Sequence, residues 1–247
     1  MRIIAHRGVS SLAPENTMAA FVKCLEVGAK WFECDVRMLG DNSLIVAHDE
    51  TAERTTTGTG RFFDLTFADL RRLDAGRWFG DGFRLERVPE LATVLDLLNT
   101  TGLSANLELK FEESDPEVVR TYLETIARST RALKQPDRVL VSSFSAELLS
   151  GMAALAPDLA RALLVDEVGA SVDQVVAQAR DLGCDAVNPG LEGLTADRVQ
   201  ALKAAGMAVY VWTVNSVETA RELAEWGVDG VFTDYPQDLL AAGLDQE

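Results

Sequence analysis

Leu202-Lys203-Ala204-Ala205-Gly206 runs directly into Met207-Ala208-Val209-Tyr210-Val211-Trp212, and Leu223-Ala224-Glu225-Trp226-Gly227 runs in the same way into Val228-Asp229-Gly230-Val231-Phe232. In each, an amphipathic stretch ends in Gly and a short apolar or β-branched run follows. Gly just past a helix supplies the left-handed cap, so the unit reads helix, cap, strand. Working outward, the unit recurs as Cys24–Gly28 before Trp31–Val36 and as Ala179–Gly183 before Cys184–Val187. The strand runs are continuously apolar rather than alternating, the pattern of a sheet covered on both faces.

Further strands fit Arg2–Ala5, Leu44–Ala47, Ala105–Leu109, Val139–Val141 and Leu159–Val165, and helices fit Pro116–Arg128, Ala146–Ala154, Val172–Leu182 and Thr195–Ala205. Strand and helix alternating through one chain of this length predict a closed (β/α)8 TIM barrel of class α/β, a single domain over 1–247. The tally is nine strands, one too many. Only Gly40-Asp41-Asn42 separates Met38 from Leu44, so one member of that pair is expected outside the regular barrel. Residues 50–88 break the rhythm with Phe62, Phe63, Phe67, Trp78, Phe79 and Phe83. They read as a small inserted subdomain, either a flap over one barrel end or a self-packed loop.

The chain carries 23 basic against 39 acidic side chains, a formal charge of −16. Such a chain repels phosphate backbones and anionic lipid, which argues against nucleic acid and against stable membrane association. An anionic ligand needs a local concentration of positive charge. The cysteines Cys24, Cys34 and Cys184 have no metal-type spacing and are odd in number, against a disulfide framework. With no secretory leader in the first residues, the expectation is a cytoplasmic protein; assembly as a homo-oligomer is left open.

Only two histidines occur, His6 after the first strand and His48 after Leu44–Ala47. Barrel sites gather at the C-terminal ends of strands, so both are candidates for one site. Glu33 and Asp35 alternate on one face of the strand Trp31–Val36, and Glu108 and Lys110 do so at the end of Ala105–Leu109. Their neighbours Trp31, Phe32 and Cys34 are apolar, and unpaired buried carboxylates cost several kcal/mol each. Three carboxylates without a spare histidine suit a hard cation, Mg2+ or Ca2+, better than zinc. The competing reading is a salt-bridge network with Arg7 and Lys110. With a cation present, Arg7 and Lys110 are free to hold a phosphate. Gly8 reads either as room for a close turn there or as a plain turn residue.

The ordered set His6-Arg7-Gly8, Ala13-Pro14-Glu15-Asn16-Thr17, Glu33-Cys34-Asp35-Val36, His48-Asp49, Glu108-Leu109-Lys110, Ser142-Ser143-Phe144, Val211-Trp212-Thr213, Gly227-Val228-Asp229-Gly230 and Thr233-Asp234-Tyr235-Pro236 resembles the glycerophosphodiester phosphodiesterase family over essentially the whole chain. The resemblance implies a (β/α)8 barrel with a small insertion. It implies His6 and His48 as the acid–base pair, Glu33, Asp35 and Glu108 as ligands of one divalent cation, and Arg7 and Lys110 as phosphate contacts. Phe144 and Trp212 look like the aromatic residues that line the family's pocket, with barrel packing as the alternative. Glu15 matches a motif position, either orienting a site residue or placing a carboxylate at the first turn of the following helix. Asn42 stands where the family more often has a turn glycine.

The implied reaction is hydrolysis of a small glycerophosphodiester to glycerol 3-phosphate and an alcohol. A lysophospholipase D-type activity on the same site is the neighbouring reading, and a non-catalytic barrel that binds phosphorylated polyols is a different class. That last class has no use for two histidines beside three carboxylates.

Overall fold

The computed structural model describes residues 1–166 and 169–245. β1 (Arg2–Ala5) leads through a tight loop to α1 (Met18–Val27), and β2 (Trp31–Met38) and β3 (Leu44–Val46) follow. After the short α2 (Phe67–Leu70), alternation sets in: α3 (Leu91–Thr101), β4 (Ser104–Leu109), α4 (Pro116–Thr130), β5 (Val139–Ser143), α5 (Ala146–Leu155), β6 (Ala160–Val165) and α6 (Val172–Asp181). β7 (Ala186–Pro189), α7 (Ala196–Ala204), β8 (Ala208–Val211), α8 (Val217–Trp226), β9 (Gly230–Thr233) and α9 (Pro236–Ala241) complete it. β1 pairs in parallel with both β2 and β9, which closes eight parallel strands into the expected barrel.

The caps follow the reading of the sequence. Gly28, Gly102 and Gly227 end α1, α3 and α8 in the left-handed conformation. Thr17, Ser145, Ser171, Thr195 and Ser216 cap the starts of α1, α5, α6, α7 and α8 by accepting a backbone N–H. Each such cap stabilises by about 0.5–2 kcal/mol. The barrel interior is filled by Ile4, Trp31, Leu140, Ala162, Ala186, Tyr210 and Phe232, drawn from seven strands. Outward-facing strand residues pack under the helices, as where Phe32 stacks on Phe21 of α1 at 4.6 Å.

The surplus strand is β3. It runs antiparallel to the upper part of β2, with Met38 opposite Leu44 and Val36 opposite Val46. Asn42 makes the turn at φ 68, a left-handed conformation that Asn tolerates better than most residues, so the family's glycine is not needed there. The strand expected over Cys184–Val187 lies two residues later, because Cys184 N–H still bonds to Ala179 O and closes the helix end. Residues 50–88 form an apolar cluster on β3: Ala52, Phe62, Leu70, Ala75 and Val88 pack with Leu39, Ile45 and Ala47. Trp78, Phe79 and Phe83 meet edge to face at 5.6 and 5.3 Å.

Candidate active site

The loop after β1 is forced into shape by two consecutive positive φ angles, Arg7 at 57° and Gly8 at 79°. A Cβ on Gly8 would lie 2.7 Å from Ala20 Cβ and 2.8 Å from the Ala20 backbone carbon, so only glycine lets the loop lie on α1. The turn aims Arg7 N–H at Glu33 Oε2, 2.8 Å away. His6, at the end of β1, donates through Nδ1 to Asp234 Oδ1 at 2.8 Å, just past β9.

His48 arrives differently. Its neighbour strand β3 is not a barrel strand, so the rule about strand exits does not apply to it. β2 overshoots the rim, and β3 returns along it until Ala47 N–H bonds to Asp35 O. The antiparallel return delivers His48 to the level of the carboxylates. Its Nδ1 lies 2.8 Å from Asp49 Oδ1, which leaves Nε2 as the free ring nitrogen, as in His6.

His6, Arg7, Glu33, His48, Glu108, Lys110, Phe144 and Trp212 line one cleft of about 490 Å³ at the barrel mouth. Asp35 sits behind that wall, 1% exposed. Asn106, Leu164, Thr213 and Phe232 also line it and were not anticipated. Asn106 was findable, since it lies two residues before Glu108 on β4 and therefore shares its face. No residue of 50–88 lines the cleft among those described, which disfavours a flap over the site. Phe144 and Trp212 meet edge to face at 5.6 Å, and the Trp212 indole N–H donates to Asn188 O at 2.8 Å.

Both sides of the alternative weighed for the carboxylates are present. Lys110 Nζ lies 2.7 Å from Glu108 Oε1 and 3.5 Å from Asp35 Oδ1, and Arg7 Nε lies 3.7 Å from Asp35 Oδ2. Even so, Glu33 Oε1 is buried with no hydrogen-bond donor among the described residues, and Asp35 Oδ1 and Glu108 Oε1 share the single Lys110 ammonium. One ligand oxygen from each of the three lies within 4.8 Å of the others. Burial, then the neighbouring carboxylates, pushes Glu33 well above the usual carboxylate range and Glu108 upward. Asp35 goes the other way: burial is outweighed by Lys110, Arg7, His48 and the Asn16 amide, whose Nδ2 donates to Asp35 Oδ2 at 2.7 Å. Ionised together, the three carboxylates outnumber the two cations that face them, one of which, Arg7, is also shared with Glu15. An all-oxygen donor set that includes the orphaned Glu33 Oε1 fits a hard divalent cation.

Glu15 is not in the first turn of α1, which Thr17 caps, so the dipole reading fails. Its Oε1 accepts from Arg7 Nη1 at 2.8 Å. Asp234, Asp49 and Asn16 were visible as motif letters without a role. Asp234 accepts from Ser10 Oγ at 3.1 Å and Asn215 Nδ2 at 2.7 Å as well as from His6. Burial raises its pKa, but these bonds prevail and hold it at about 2.

Barrel and mouth together define the class, a (β/α)8 barrel with its charged groups gathered on the C-terminal rim. The chain belongs to the glycerophosphoryl diester phosphodiesterase family, whose model matches residues 6–238. It is 33% identical over 238 residues to a glycerophosphodiester phosphodiesterase of Caldanaerobacter subterraneus subsp. tengcongensis, covering 96% of each chain. Its fold is similar to that of an Oleispira antarctica phosphodiesterase solved with the product sn-glycerol-3-phosphate, at TM-score 0.90, 31% identity, and 99% and 97% coverage. A glycerophosphodiester phosphodiesterase of Agrobacterium tumefaciens str. C58 superposes at TM-score 0.82 with 29% identity, covering 98% of this chain and 99% of that one. No helix among the described residues is long and apolar enough to cross a membrane.

Proposed function

We propose that the chain hydrolyses glycerophosphodiesters to glycerol 3-phosphate and an alcohol, with one divalent cation held by Glu33, Asp35 and Glu108. The observation that carries the reading is a single cleft with two histidines, each tied through Nδ1 to an aspartate, beside three clustered carboxylates of which Glu33 keeps a buried oxygen without a hydrogen-bond donor. The Oleispira relative's product complex supports a phosphate ester as the occupant. Residues 1–247 are read as one barrel unit, with 50–88 inserted.

Arg7 and Lys110 are the cations positioned to hold the non-bridging phosphate oxygens of the diester. Arg7 keeps its orientation because Glu15 accepts from its guanidinium Nη1 and Glu33 accepts from its backbone N–H. The cation, when bound, withdraws further charge from the phosphate. One histidine takes the proton of the attacking hydroxyl on Nε2: water gives glycerol 3-phosphate directly, whereas the substrate's own 2-hydroxyl gives a cyclic phosphate that a water molecule then opens to glycerol 3-phosphate. The other delivers a proton from Nε2 to the departing alcohol oxygen as the P–O bond breaks. Asp234 and Asp49 hold the Nδ1–H tautomers, so each Nε2 exchanges protons in a fixed direction. Phe144 and Trp212 offer the cleft's apolar wall to the carbon framework of the substrate.

The test is release of glycerol 3-phosphate from glycerophosphocholine and glycerophosphoethanolamine, with Mg2+, with Ca2+ and with EDTA. The reading expects turnover that EDTA abolishes and one of the ions restores. Turnover indifferent to chelation refutes the metal site, and no turnover on either substrate refutes the substrate class.

A further inference from the structure

Arg54 lies in the inserted segment, outside the cleft lining and 45% exposed, yet it joins two parts of the site. Its Nε and Nη2 donate to Asp49 Oδ2 and Oδ1 at 2.6 and 2.9 Å. Its Nη1 and Nη2 donate to Glu15 Oε2 and Oε1 at 2.7 and 2.8 Å. Asp49 Oδ1 is also the partner of His48 Nδ1, and Glu15 Oε1 is also the partner of Arg7 Nη1. A continuous relay therefore runs His48–Asp49–Arg54–Glu15–Arg7, with a planar guanidinium bidentate on both carboxylates at its centre.

We infer that Arg54 is a positioning residue that holds the His48 ring and the Arg7 guanidinium in one frame. The inference rests on the reading of His48 and Arg7 as site groups given above. Asp49 has two carboxylate oxygens and a free torsion at the end of its side chain. Without a second partner it can rotate away from the imidazole, and His48 then loses the bond that selects its Nδ1–H tautomer. Glu15 has the same freedom with respect to Arg7. Only a rigid fork fixes both planes at once; a lysine ammonium in its place supplies charge without planar registry. Arg54→Lys keeps the positive charge between Asp49 and Glu15, so it separates the orienting role of the fork from the charge itself.

The experiment uses the 247-residue chain, whose two histidines give few ring-nitrogen signals in 15N NMR. At a pH where both rings are neutral, the wild type is expected to show His48 with a protonated Nδ1 and an unprotonated Nε2. In Arg54→Ala the two His48 signals should move toward a common average while those of His6, held by Asp234, stay in place. Arg54→Lys should show the same averaging of His48 with an unchanged melting temperature, and it carries the readout if the alanine variant folds poorly. On glycerophosphocholine, kcat/KM should fall about 10–100-fold, the range for groups that orient a site side chain, with kcat lowered and KM raised together. His48 signals that remain those of a single tautomer in both variants overturn the inference. A wild type that releases no glycerol 3-phosphate overturns the function proposed above, while the ring signals still decide the role of Arg54.

Discussion

Arg37 closes on the backbone carbonyl of His48 with two nitrogens, Nε at 3.1 Å and Nη2 at 2.6 Å. The same side chain reaches Ala47 O at 3.2 Å and Glu112 Oε2 at 2.5 Å. A buried arginine on β2 thus fastens the end of the antiparallel return to the loop that follows β4. His48 is held at its main chain by Arg37 and at its ring by Asp49.

Replacing Arg37 by Met keeps the volume and removes the donors. Two backbone carbonyls then lose their partners at a site where Arg37 is 6% exposed. The expected loss is about 2–3 kcal/mol, the cost of leaving buried acceptors unpaired. Urea titration checks it; an unchanged midpoint would show that water satisfies those carbonyls.

His6→Ala and His48→Ala should each lower kcat by about 10²–10⁴-fold, the range for loss of general acid–base catalysis. Both rings are partly solvent-exposed, 19% and 32%, so circular dichroism should change little, while His6→Ala should melt somewhat lower because Asp234 loses its imidazole partner. Turnover retained by either variant excludes that histidine from the chemistry.

Divalent ion should raise the melting temperature, since binding to the folded state alone adds about 2.7 kcal/mol at 100 times Kd. Glu33→Gln should remove that response. It should do so without destabilising the ion-free fold, because burial and then Asp35 and Glu108 already push Glu33 toward its neutral form. Its bond from Arg7 N–H survives on the amide oxygen. An equal response in both proteins places the ion elsewhere.

Asp234 has a folded-state pKa of about 2, below its ordinary 3.8. A depressed carboxyl stabilises the fold fully above the unfolded value and loses that contribution as pH falls through the folded value. Melting temperature should therefore decline between about pH 4 and pH 2 more steeply in wild type than in Asp234→Asn. Parallel slopes would show that the bonds to His6, Ser10 and Asn215 do not favour the charged form.

The repeating units, and the alternation that puts Glu33 with Asp35 and Glu108 with Lys110, are local patterns. Periodicity and glycine caps encode them over a few residues, and for that reason the sequence by itself determined the barrel, the carboxylate cluster and both histidines. Which partner stands behind each group is not local. Asp234 meets His6 across 228 positions only because β1 closes on β9. His48 faces the carboxylates because β3 runs back along β2, and nothing in Leu44–Ala47 distinguishes that strand from a barrel strand. Arg54 reads as one more exposed arginine until the insertion folds onto β3 and sets it between Asp49 and Glu15. Hydrogen bonds need positions accurate to a few tenths of an ångström, and between distant segments only barrel closure and side-chain packing provide that accuracy.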